Sequence, residues 1–127
     1  MKYYNFGLLF IFLILPLLCF GQLKPVIEFD KKTLDFGTIK YQPNLEIKIK
    51  FYFKNTGSAP LVIQNVNTSC MCTVPYWTKK PISVGTRDYI SVVFKVKERI
   101  GIVRKTFFVN TNCSEKEVVL HIKGIID

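Results

Sequence analysis

The chain has 127 residues, 49% of them hydrophobic, with 18 Lys and Arg against 9 Asp and Glu and a formal net charge of +9. This length holds one domain and not two, and such a composition builds a packed core instead of a disordered polyelectrolyte. A single histidine and four cysteines leave little material for catalysis or for a zinc cluster.

The first 21 residues read as a targeting segment. Met1-Lys2 is a short positive start and Gly7 to Phe20 is almost wholly apolar. The run falls short of the ~20 residues of a comfortable membrane span and fits a secretory signal. Cys19 and Gly21 are small residues at −3 and −1, which places cleavage before Gln22. Residues 1–21 are thus expected to be a signal peptide and residues 22–127 one exported domain, periplasmic or extracellular, with no stable membrane span in the mature chain. Removing Lys2 leaves 17 basic against 9 acidic residues, a net +8. Such a surface is compatible with nucleic acid, anionic lipid, or an acidic polymer or glycan, and equally with no particular partner. Export argues against nucleic acid.

Val26–Phe29 and Thr33–Phe36 read as two short edge strands joined by the polar turn Asp30-Lys31-Lys32, and Gly37 and Pro43-Asn44 break the pattern. From Glu46 to Lys54, Ile47, Ile49, Phe51 and Phe53 alternate with polar side chains and Tyr52, the period of a half-buried strand. Asn55-Thr56-Gly57-Ser58 is a turn in which Gly57 is free to take positive φ. Pro60 opens the next strand, with Leu61 and Ile63 facing the core. Thr73–Ile82 is irregular around Trp77, which is expected to plug the core or its rim. Ser83–Thr86 turns the chain into Tyr89–Val96, with Ile90, Val92, Phe94 and Val96 inward. Lys97–Gly101 turns it again into Val103–Thr111, burying Phe107 and Val109. A last strand turns Val118, Leu120 and Ile122 inward. About seven strands without a credible helix predict an all-β, immunoglobulin-like antiparallel β-sandwich.

Two stretches carry a family resemblance. Asp35-Phe36-Gly37-Thr38-Ile39 and Phe53-Lys54-Asn55-Thr56-Gly57-Ser58-Ala59-Pro60-Leu61-Val62-Ile63 resemble the immunoglobulin-like sandwiches of the major sperm protein and Hydin type. Ser69-Cys70-Met71-Cys72-Thr73-Val74-Pro75, followed by Trp77, Lys79, Pro81-Ile82 and Gly85, resembles the bacterial domain-of-unknown-function 1573 family, common in exported proteins of Bacteroidetes. The resemblance implies the fold and no particular activity. Where the family motif reads Ser-Cys-Gly-Cys-Thr, this chain has Met71 in place of the glycine.

Cys70, Met71 and Cys72 are the candidate site, with three readings open. The cysteines can be small buried hydrophobes, a strained and readily reduced Cys-x-Cys disulfide, or, with the Met71 thioether, a soft ligand set for copper(I). Cys113 is expected at the opposite end of the sandwich. A strand spans ~17–20 Å and a disulfide needs Cα atoms within ~7 Å, so no bridge from Cys113 to either cysteine is expected. His121 lies on the outward face of the last strand, as a solvated side chain and not a ligand or base. No catalytic set and no cofactor are expected. The functional expectation is a non-enzymatic module that binds another envelope or surface protein, its edge strands open to strand addition. The alternative is copper(I) binding or thiol-redox chemistry at the Cys-x-Cys pair.

Overall fold

A computed structural model describes residues 22–69, 73–96 and 100–127. Eight strands follow one another: β1 (Ile27–Phe29), β2 (Thr33–Ile39), β3 (Glu46–Asn55), β4 (Ile63–Thr68), β5 (Thr73–Tyr76), β6 (Arg87–Lys95), β7 (Gly101–Thr111) and β8 (Glu117–Ile126). They form two four-stranded sheets, β1-β3-β6-β5 and β2-β8-β7-β4, here the first and second sheet. The described residues contain no helix. The chain folds as the immunoglobulin-like sandwich that its alternation implies.

Two details go beyond the sequence reading. There are eight strands where about seven were expected, with Thr73–Tyr76 as an edge of the first sheet. And one pairing is parallel: β2 runs alongside β8, from Thr33 opposite His121 to Ile39 opposite Ile126. The polar turn after β1 carries the chain across the sandwich, so β1 and β2 are both edges, but of different sheets. Gly37 interrupts the alternation without ending the strand. It has φ 76°, sits in a register shift between Asp35 and Thr38, and donates its N–H to Asp35 Oδ1 at 2.8 Å. This is a bulge in a continuing strand.

The core lies between the sheets. Phe51, Phe53, Ile90, Val92 and Phe94 of the first meet Val66, Phe107, Val109, Leu120 and Ile122 of the second. The Phe51 and Phe107 rings meet across the gap at 6.4 Å, within the range of favourable aromatic contacts. Every inward residue expected in β3, β6, β7 and β8 is buried except Ile49, which is half-buried, as is Val103.

One end of the sandwich is tied by Asn55, which is fully buried. Its Nδ2 donates to the Ala59 and Ile82 carbonyls at 2.9 and 3.0 Å. Its Oδ1 accepts from the N–H groups of Gly57 and Val26 at 3.0 and 3.4 Å. Leu61 and Ile82 exchange both backbone hydrogen bonds beside it, at 2.9 and 2.7 Å. The Asn-Thr-Gly signature is therefore a buried polar clamp on three chain segments, fully satisfied as burial demands. Gly57 does not use positive φ, as only Gly37, Gly85 and Gly101 among the described glycines do. It is glycine because a Cβ would run into the backbone of Lys24–Val26, which passes directly over the turn.

Candidate functional site

Cys70, Met71 and Cys72 lie outside the described residues, as do residues 97–99 and the expected signal peptide, 1–21. What flanks the cysteines is described. Thr68 pairs with Phe107, and Thr73 with Phe94. Both belong to the end of the sandwich away from the Asn55 clamp, since Lys54 pairs with Arg87 and Ile47 with Phe94 along the same β3–β6 ladder. Cys113 is at the clamp end, just past Thr111, which pairs with Ile63. It is a free, buried thiol whose N–H donates to Thr111 Oγ1 at 3.1 Å, and it packs as part of the core.

Trp77 packs half-buried against the core, with the Lys79 ammonium 2.9 Å from its ring centroid, a cation–π contact. Trp77 Nε1 and Thr73 Oγ1 are buried with no hydrogen-bond partner among the described residues. Both closely follow Cys72 in the chain.

The outward face of the first sheet gathers a different set of side chains, and register explains how. Tyr52 of β3 stands opposite Tyr89 of β6, their rings T-shaped at 5.8 Å. One step along, Lys50 faces Ser91, which faces Tyr76 of β5; one further, Lys48 faces Val93, which faces Val74. The Lys50 ammonium lies 4.5 Å from the Tyr89 ring centroid. Tyr52, Tyr76 and Val74 are 46%, 63% and 66% exposed. Around this aromatic centre Glu28 faces Lys54, Glu46 faces Lys95, and Arg87, itself opposite Lys54, binds Asp30 at 2.5 Å. Lys48 and Lys50 have no acidic residue opposite them. Aromatic residues at the centre and charges at the rim are the anatomy of a protein interface.

The outward face of the second sheet is built otherwise. Arg104 of β7 stands directly opposite Lys123 of β8, with Thr106 opposite His121 in the next row. Across β8, Thr33 pairs with His121 and Asp35 with Lys123. Thr106 Oγ1 and His121 Nδ1 lie 3.2 Å apart. An open depression of about 340 Å³ is lined by Thr33, Arg104, Thr106, His121 and Lys123, among others.

The sequence reading named Tyr52 only as an outward residue of β3 and singled out neither Tyr76 nor Arg104. Alternation puts each on an outward face, but only the register across strands shows which of them are neighbours. Among the described residues no group of three or more His, Cys, Asp or Glu could hold a metal ion, and no helix is long and apolar enough to cross a membrane.

The family described as protein of unknown function (DUF1573) matches residues 27–126, and the chain belongs to it. No curated protein matches the chain. Among solved structures it is similar to a protein of unknown function from Porphyromonas gingivalis W83, with a TM-score of 0.70 at 15% identity, over 84% of this chain and 50% of that one. It thus spans half the length of that relative. It is similar also to an ASH/PapD-like domain of human CEP192, at TM-score 0.64 and 9% identity over 87% of this chain and 91% of that domain. The secreted serine protease VesC from Vibrio cholerae shares the fold at TM-score 0.56 and 10% identity, over 83% of this chain and 23% of the protease. At these identities the likeness is one of fold alone.

Proposed function

We propose that this member of the family is an exported, non-enzymatic module that binds another protein of the cell envelope through the outward face of its first sheet. The observation that carries the reading is the Tyr52–Tyr89–Tyr76 centre, with Tyr52 and Tyr76 exposed and Tyr89 half-buried between them, and acidic residues opposite its rim cations. Tyrosines present large, rigid contact areas, and alanine scans find them among the residues that dominate binding. Lys48 and Lys50, unmatched on their own face, suit a partner with an acidic patch. The reading of residues 1–21 as a signal peptide supports the envelope as the place.

Docking on a face is favoured over strand addition because every sheet edge is blunted. β1 has three residues, β5 carries Pro75, and β2 and β4 each contain a register shift. These are devices that keep edges from pairing. The test is to place a photo-crosslinking residue at Tyr76 and recover adducts from envelope fractions. A discrete adduct that Tyr52→Ala abolishes supports the reading; no adduct, or one indifferent to Tyr52, sinks it.

A second reading, copper(I) binding or thiol-redox chemistry by Cys70, Met71 and Cys72, draws support from Thr73 Oγ1 and Trp77 Nε1, buried and unpartnered among the described residues beside that motif. Unsatisfied buried polar atoms call for an explanation. Thiol titration with and without reductant, combined with copper(I) competition, tests it. Inert thiols and no copper uptake remove it.

A further inference from the structure

We infer that the outward face of the second sheet holds a binding site for a phosphoryl group, centred on Arg104 and Lys123. Three observations converge. The first is a like-charge pair. Arg104 and Lys123 are directly opposed across the β7–β8 ladder, where opposed side chains have Cβ atoms ~5 Å apart and like charges destabilise the sheet. Neither forms an ion pair among the described residues, where the Arg87–Asp30 bridge is on the other sheet. Asp35 is the one carboxylate in their row, beyond Lys123, and one of its oxygens is engaged by the Gly37 N–H. Two cations thus share a single, partly engaged carboxylate, and an anion seated across the pair relieves the like charge that remains.

The second observation is the row beside the pair. Thr33, His121 and Thr106 stand abreast across β2, β8 and β7. Two hydroxyls and an imidazole thus border the same depression as the two cations. The side chains come from three strands and border one depression. That many donors match the three terminal oxygens of a phosphoryl group better than the two of a carboxylate, and the guanidinium adds a bidentate fork. The third is what lies on the far side of the cations. Ile102 and Ile125 face one another there, and Ile102 is 73% exposed. A second shallow depression of about 310 Å³ runs past both isoleucines and shares Arg104 and Lys123 with the first. An anion seated on the cations therefore has an apolar shelf for whatever carries it.

Two sources present this chemistry: a small phosphate monoester or the headgroup of an anionic phospholipid. Because the chain has one histidine, the His121 ring protons give a single resolved NMR reporter beside the site. Inorganic phosphate titrated at fixed pH and constant ionic strength is expected to move them along a saturable curve. Arg104→Gln and Lys123→Gln are each expected to weaken that binding about tenfold, the scale of a lost charge-assisted hydrogen bond. Lys50→Ala, on the other sheet, leaves it unchanged. A hexose phosphate and phosphatidic acid vesicles form the further arms, and tighter binding of one over inorganic phosphate identifies the source. A linear response matched by chloride, or saturation that Arg104→Gln leaves intact, overturns the site.

Discussion

The two outward faces of this sandwich share strand geometry and differ in what stands at their centre. On the first sheet, Glu28 and Glu46 stand opposite Lys54 and Lys95, Asp30 binds Arg87 at the rim, and tyrosines hold the middle. On the second, Arg104 and Lys123 are set against one another and threonines and the histidine flank them. A face with an aromatic middle and acidic residues opposite its rim lysines suits a protein surface, with Lys48 and Lys50 left to meet acidic groups of the partner. A face on which two cations are set against one another, with one carboxylate in their row, gains by taking up an anion. A basic composition alone does not separate these cases, since both faces contribute to the same net charge.

The comparison can be broken or sharpened by mutation. The largest effect is expected from Asn55→Ala, which leaves the Ala59 and Ile82 carbonyls and two backbone N–H groups without their buried partner. A cost of about 3 kcal/mol, or a fall in Tm of roughly 15 °C, is expected in thermal denaturation. Because the clamp ties down chain segments and touches neither face, both faces should keep their binding below the new Tm. Selective loss at one face would mean that Asn55 has a direct role there.

Next in size is the aromatic centre. Tyr52→Ala and Tyr76→Ala are each expected to weaken partner binding by about 30-fold, the ~2 kcal/mol of an interface hot spot. Their exposed rings leave Tm within a few degrees. A pull-down combined with a melting curve checks both. If Tyr52→Ala unfolds the protein, the face is structural and the contrast with the second sheet disappears.

A smaller effect attaches to Lys50. Its ammonium lies over the Tyr89 ring and has no acidic residue opposite. Lys50→Ala should slow association a few-fold at low salt and leave dissociation nearly unchanged, as expected for steering by a rim charge. Surface plasmon resonance at two salt concentrations reads this. The smallest is Arg87→Ala: its pair with Asp30 is about half exposed on both sides and should contribute under ~1 kcal/mol. A larger cost in chemical denaturation would show the rim pairs to be structural, not a surface adapted to a partner.

Much of the scaffold was legible because period-two alternation is a local signal. Ile47, Phe51, Phe53, Ile90, Val92, Phe94, Phe107, Val109, Leu120 and Ile122 could be assigned inward from their own strands. The parallel β2–β8 pairing was not legible, since an edge strand's choice of sheet depends on where the turn at Asp30–Lys32 carries it. The Asn55 clamp hid behind a turn signal: Asn-Thr-Gly reads as a tight turn, whereas burial and four partners are tertiary facts. Both faces were invisible for a related reason. Tyr52, Tyr89 and Tyr76 are brought together from three strands of the chain, and Arg104 and Lys123 from two. No spacing along the chain encodes those distances. The Cys70-Met71-Cys72 motif, the most conspicuous in the sequence, lies outside the described residues, so its chemistry rests on thiol titration and copper(I) competition.

The most direct test of the protein-binding account is a pair of photo-crosslinking substitutions, one at Tyr76 on the first sheet and one at Phe108, which lies between buried Phe107 and Val109 and so on the outward side of the second, each followed in envelope fractions. The account predicts a discrete protein adduct from position 76, lost with Tyr52→Ala, and no protein adduct from position 108. Equal adducts from both positions, or an adduct from 108 alone, would contradict it.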